Sequence, residues 1–252
     1  MIESLHSFNL STLQWLLAAL CGLFVGMAKT GLGGLGMIVV PLLAGIFGGR
    51  PSVGILLPML CMGDIFGVSY YNRHAEWKYV LRLMPWTIAG ILIGLYVGKI
   101  VTGTQFQRIL SVTVLLGLVL MIWQNRQQST LSVPDFWWFS VIMGLAGGFA
   151  TMISNTAGII MALYLLSMRL PKNSFIGTGA WFFMIVNLLK VPLHVFIWGT
   201  ITLKTFSFNL AMLPAIAAGA LIGVRIVKLI PEKHYYFFII VMTALAALKL
   251  FF

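Results

Sequence analysis

Apolar residues in this chain run in long unbroken stretches from Leu13 to the C-terminus, separated by short polar joints. A bilayer core of about 30 Å is crossed by about 20 apolar residues in a helix. Lipid offers no partner to an unpaired backbone group, so continuous runs of this kind predict membrane-spanning helices. The pattern predicts segments over 12–28, 31–48, 52–70, 79–100 and 106–123, and again over 136–150, 153–168, 174–198, 208–229 and 234–252. The most linker-like joint, NRQQSTLSVPD at 125–135, lies near the middle and divides the chain into a first unit, 1–124, and a second, 136–252.

The two units resemble each other. MPWTIAGILIGLYVGKI (84–100) and LPAIAAGALIGVRIVKL (213–229) share seven positions without gaps, among them Pro85/Pro214, Gly90/Gly219 and Gly94/Gly223. Gly22, Gly26, Ala28 and Gly36 recur as Gly144, Gly148, Ala150 and Gly158, at an offset of 122. Internal duplication is a common way to build secondary transporters, with the substrate site where the repeats meet. Five segments per unit would invert the second relative to the first. If 12–28/31–48 and 136–150/153–168 are instead broken or re-entrant helices, eight full spans remain. The expected fold is an all-α polytopic membrane protein of 8–10 segments, built from two homologous halves as an inverted repeat.

Composition agrees: 60% of the 252 residues are hydrophobic and 8% are charged, where a soluble domain carries about a quarter charged. The net charge of +11 would suggest nucleic acid in a soluble chain, but most basic residues fall in short loops, where topology-setting charges belong. With both termini outside, ten spans put Lys29, Arg73, Lys78, Arg82, Arg126, Arg169, Lys172, Arg225, Lys228 and Lys233 inside, against Arg50, Lys99, Arg108, Lys204 and Lys249 outside. The N-terminus has no basic cluster and no small-residue cleavage site follows the first run, so no cleaved leader is expected. Cys21 and Cys61 lie in apolar segments and read as core residues.

Residues 29–36, KTGLGGLG, match G-x-G-x-x-G. A dinucleotide cradle needs a strand before the glycines and an acid about 20 residues on. Here a membrane-length run precedes them, and the next carboxylate is Asp64. Gly31, Gly33 and Gly34 instead read as a helix break, matched in the second unit by Ser154-Asn155-Thr156. Paired helix breaks point to a transporter site, and a helix starting after a break attracts anions; small residues that let helices pack closely are the other reading.

A second candidate is GTGAWFFMIVNLLKVPLH at 177–194. Asn187, Lys190 and His194 share one helical face, Thr178 opens the segment, and Pro192 is expected to kink or end it. A lysine inside an apolar run costs a few kcal/mol unless it faces a cavity, finds a partner or snorkels. Lys190 therefore reads either as an anion ligand or as a partner of Asp64, the one carboxylate inside an apolar segment. Asp64 suits proton binding or neutralisation of a lysine. Lys29 reads as lining an anion path or as a loop-end charge, and His194 as structural or as a proton relay. The substrate-binding set expected is Gly31, Gly33, Gly34, Asn155, Thr156, Thr178, Asn187 and Lys190, with Asp64, Lys29 and His194 as coupling or ion-pair candidates. No metal-ligand spacing, P-loop or carboxylate pair suggests an enzyme. The expected partners are a small anion and the lipid bilayer, with a homodimer left open; no cofactor, metal or nucleic acid is expected.

The order GLGGLG…Pro41-Leu42-Leu43, the polar loop after the third segment, the Pro…Gly…Gly block and GTGAWFFMIVNLLKVPLH resembles the TauE/SafE sulfite-exporter family over nearly the whole chain. Leu35 and Asn155-Thr156 depart from the small residues of many relatives. The resemblance implies transport of sulfite, sulfonates or related small sulfur oxyanions, usually across the plasma membrane. A secondary transporter working by alternating access is the expectation; a membrane scaffold, an anion channel and an intramembrane enzyme are the alternatives.

Overall fold

The computed structural model describes residues 8–102, 105, 137–168, 170–231 and 234. They form eight α-helices: α1 (Thr12–Lys29), α2 (Gly36–Phe47), α3 (Gly49–Tyr71), α4 (Trp77–Ile100), α5 (Trp137–Ser154), α6 (Gly158–Ser167), α7 (Lys172–Phe196) and α8 (Leu203–Leu229). The expected linker 125–135, the spans over 106–123 and 234–252 (but for His234), and Arg108, Arg126, Arg169, Lys233 and Lys249 lie outside the described residues.

Six of the helices, α1, α3, α4, α5, α7 and α8, are long and apolar enough to cross a membrane. The protein is a multi-pass integral membrane protein. α2 and α6 have 12 and 10 residues, about 18 and 15 Å at 1.5 Å per residue, and do not reach across a bilayer core. Of the two expectations for these segments, the broken helix is the one that fits. Pro192 does not end α7, which continues to Phe196.

α1 packs on α8 and α5 packs on α4, and these two contacts are the most extensive in the fold. Glycine makes both possible. A methyl group on Gly26 would strike the backbone of Ile216 and Ala220, and one on Gly219 would strike Leu23. In the other pair, Gly148 lies against Thr87 and Ile91, and Gly90 against Leu145 and Phe149. Lipid tails give helices no hydrophobic reason to associate, so close backbone approach at small residues supplies much of the attraction. The repeat seen in the sequence is thus a repeat of contacts: Gly22/Gly26 and Gly144/Gly148 serve one side, Gly90/Gly94 and Gly219/Gly223 the other.

Contact order fixes the direction of each helix. Gly22, Gly26 and Met27 meet Ala215, Ile216 and Gly223, so α1 and α8 are parallel. Gly144, Gly148 and Met152 meet Trp86, Ile91 and Gly94, so α5 and α4 are parallel. α3 and α7 cross antiparallel, with Gly67 near Ala180, Asp64 on Asn187 and Gly54 against Thr200. Among the described long helices, α3 therefore runs opposite to α7. One end of the bundle carries Arg73, Lys78, Arg82, Lys172, Arg225 and Lys228; the other carries Arg50, Lys99 and Lys204. The first of these is the basic end. Large apolar side chains such as Leu81, Leu92, Tyr96, Leu221 and Leu229 project outward, as a lipid-facing surface requires.

Candidate functional site

Two helix breaks face one another at the centre. Gly31 ends α1 in the left-handed region, at φ 122°. The Leu32 N–H donates to Met27 O at 3.0 Å and the Gly31 N–H to Ala28 O at 3.4 Å, the pair of bonds that closes a Schellman cap. Only glycine enters that conformation without strain. Asn155 plays the same part for α5, at φ 57°, and its N–H donates to Thr151 O at 3.1 Å. Asparagine is the usual substitute for glycine there. After each break a short helix begins, α2 at Gly36 and α6 at Gly158, and neither start carries a side-chain cap. Gly33 and Gly34 form the 3-10 turn that leads into α2.

The breaks enclose a cavity of ≈ 130 Å³, whose polar wall is Lys29, Thr151, Asn155, Thr156 and Asn187 and whose bare backbone wall includes Gly31, Gly33, Gly36 and Gly158. Its volume suits a small anion with a few waters. It extends along the first half of α7, past Phe183, Gly179, Ile176 and Phe175, toward the basic end. At the opposite end a tryptophan and an arginine pack against the ends of α3 and α4. Trp198 lies against Gly98 and donates from its indole N–H to Leu95 O at 3.4 Å. The Arg50 guanidinium stands over the Trp198 ring and donates to Gly98 O and Val101 O.

The charges at mid-depth are arranged in two connected groups. The Lys29 ammonium lies 2.7 Å from Asp64 Oδ1 and 4.5 Å from the centre of the Phe183 ring. Asn187 Nδ2 donates to Asp64 Oδ2 at 2.6 Å. Asp64 is fully buried, while Lys29 keeps 11% of its side chain exposed. The Lys190 ammonium donates to Thr151 O at 3.0 Å, Thr151 Oγ1 at 2.8 Å and Asn155 Oδ1 at 2.6 Å. Asn155 in turn donates from Nδ2 to Val53 O at 3.2 Å. Lys190 thus spends its three donors on the end of α5 and on the residue that breaks it. Two lysine side chains and one carboxylate thus meet at mid-depth.

Of the residues expected to bind substrate, Gly31, Gly33, Asn155, Thr156 and Asn187 line the cavity, as does Lys29 from the coupling set. Lys190 stands directly behind Thr151 and Asn155. Thr178 is elsewhere: its hydroxyl accepts from the Glu76 N–H at 2.9 Å and ties α7 to the α3–α4 turn at the basic end. His194 lies toward the end opposite the basic one, with Nδ1 2.8 Å from Thr200 Oγ1 and its ring against Trp198. Thr151 was not among the expected residues. Its position, 122 residues after Lys29, is the offset that relates the two helix ends.

A family model described as Sulfite exporter TauE/SafE matches residues 18–250, nearly the whole chain. No curated protein and no solved structure matches.

Proposed function

The chain belongs to the sulfite exporter TauE/SafE family, and on that premise we propose that it is a secondary transporter of a small sulfur oxyanion or organosulfonate. The observation that carries this reading is the central cavity itself. Its wall holds the Lys29 ammonium, hydroxyl and amide groups of Thr151, Asn155, Thr156 and Asn187, and the uncapped starts of α2 and α6. Helix starts and ammonium groups both favour negative charge, and Lys190 adds its field from behind Thr151.

Residues 1–124 and 136–252 are read as an inverted repeat, supported by the opposed directions of matching helices. The cavity lies where the halves meet, and rocking one half against the other would open it to each side in turn. By the excess of Arg and Lys, the basic end is the cytoplasmic one, so this conformation faces inward, in a plasma membrane. The likeness to a transporter family and the absence of a spaced carboxylate pair in the sequence argue for transport rather than catalysis.

The test is thermal stability of the purified protein in detergent with sulfite, thiosulfate, ethanesulfonate, taurine, sulfate, acetate and chloride. A ligand that binds only the folded state stabilises it by about 2.7 kcal/mol at a hundredfold excess over Kd. A selective rise with a sulfur oxyanion or sulfonate, lost in Lys29→Gln, is expected. A rise with none of them overturns the assignment.

A further inference from the structure

Lys29 stands between Asp64 and the cavity. Its ammonium holds Asp64 Oδ1 at 2.7 Å, yet Lys29 also lines the space where the anion is proposed to sit. Asp64 does not line that space and is fully buried. Its described neighbours at hydrogen-bond distance are Lys29 and Asn187. The charged and titratable groups that act on it are Lys29 from α1, Lys190 from α7 and Cys61 on its own helix. α2 contains no titratable residue, and the α8 cation placed on α3 is Lys228, over Tyr70.

Resting on the transporter reading, we propose that Asp64 is a proton site and that anion binding at Lys29 loads it. An anion in the cavity draws the Lys29 ammonium off Asp64. The carboxylate is then buried with one neutral amide for company, and an isolated buried charge is far more costly than a buried neutral acid. Asp64 takes up a proton from the aqueous side to which the cavity is open, forming one O–H bond; Lys29 keeps its own protons. When the anion leaves, Lys29 returns and the proton is released. Anion and proton travel together, so an inward proton gradient drives uptake.

Asn187 is suited to both states of this site. It now donates from Nδ2 to the carboxylate, while its Oδ1 is buried with no partner among the described residues. Rotating the amide by half a turn presents Oδ1 as the acceptor that a protonated Asp64 requires. An ionised aspartate there, an acceptor only, serves just the protonated state, and a hydrophobic residue serves neither. The unpartnered Oδ1 is costly if Asp64 is always ionised and is accounted for if Asp64 alternates.

The experiment is isothermal titration of the purified full chain with ethanesulfonate, which does not itself titrate near neutral pH, in buffers of different ionisation enthalpy. The dependence of observed heat on buffer enthalpy counts protons. About one proton taken up per anion bound is expected for wild type, falling to none in Asp64→Asn. If Asp64→Asn does not fold, wild type alone already decides the sign. Binding heat in wild type with no buffer dependence overturns proton loading and leaves the transporter reading standing. No binding of ethanesulfonate, thiosulfate or sulfite overturns both.

Discussion

Asp64 and Asn187 are hydrogen-bonded at 2.6 Å and lie 123 residues apart, the same separation as Gly54 and Gly177, which pack against matching loops. Gly54 meets Thr200 in the α7–α8 connection, and Gly177 meets His74 and Ala75 in the α3–α4 turn. Two copies related by a two-fold axis touch residue to identical residue only on that axis. An Asp–Asn pair at matching positions is what the proposed inverted repeat predicts at its centre.

Replacing Asn187 by Leu leaves Asp64 Oδ2 buried without its donor. A loss of about 1–3 kcal/mol is expected for such an orphaned group, read as a fall in thermal stability in detergent. Asn187→Leu/Asp64→Leu should fall by less than the sum of the single changes if the two side chains are coupled. Strict additivity would show that the bond contributes nothing.

The Lys29–Asp64 pair should show a larger asymmetry. Lys29→Met strands a fully buried carboxylate, and breaking one side of a buried pair costs about 3–5 kcal/mol. Lys29→Met/Asp64→Leu removes both charges and should recover most of that stability while abolishing anion-dependent stabilisation. A single variant as stable as wild type would show that Asp64 is not held by Lys29.

Lys190 is expected to act through the helix break. Lys190→Met removes donors from Thr151 O and Asn155 Oδ1, so it should loosen the end of α5 as well as weaken anion binding. Asn155→Gly keeps the left-handed backbone and loses the side chain, whereas Asn155→Val opposes the backbone itself, where a β-branched residue is a clear outlier. Asn155→Val should be the less stable of the two by about 1 kcal/mol or more. Equal stabilities would mean that the positive φ of Asn155 is not required.

Glycine substitutions separate packing from flexibility. Gly26→Ala puts a methyl group into the backbone of α8 and should destabilise by about 1–3 kcal/mol. Gly148→Ala, its counterpart against α4, should behave alike. Gly45 has nothing within 4 Å of an added Cβ, so Gly45→Ala in α2 should be neutral or stabilising by about 0.4–1 kcal/mol. Urea or thermal unfolding in detergent reads all three.

Most of the fold was legible because lipid imposes a simple rule. Apolar run length located six crossing helices with ends within a few residues, and the weak repeat identified the glycines that bring α1 to α8 and α5 to α4. The breaks at Gly31 and Asn155 were visible because glycine and asparagine are the residues that enter the left-handed region. The side-chain constellation was less legible. Lys190 and Asn187 share a face of α7, yet Lys190 turns to the α5 end, 35 and 39 residues away, and Asn187 to Asp64, 123 residues away, a choice made by tertiary packing and not by helical periodicity. Thr178 looked like a ligand because it follows a glycine at the start of an apolar segment; its hydroxyl serves the turn at Glu76. Thr151 opens the polar stretch of the second break, yet a threonine in a span is usually bonded to its own helix, so its role as an acceptor for Lys190 is not legible in the sequence. Pro192 left α7 intact because membrane helices absorb a missing bond more readily than soluble ones.

The cavity runs along Gly179 and Ile176 toward the basic end, while Trp198, Arg50 and Gly98 close the other. Cys21 and Cys61 are free thiols, so both are first replaced by Ala. Gly179→Cys then adds a thiol whose Cβ has only ordinary contact with Leu165, at 3.7 Å. In sealed vesicles of known orientation, a membrane-impermeant thiol reagent should label this cysteine from the basic face at least about tenfold faster than from the other, if the inward conformation holds most of the population. Trp198→Ala removes the largest side chain of the closed end and should raise labelling from the opposite face, because the balance between two conformations shifts when contacts made in only one are lost. Equal labelling from both faces in the wild-type background would mean that the closed end is not a barrier, and a continuous pore would then describe the protein better than two alternating states.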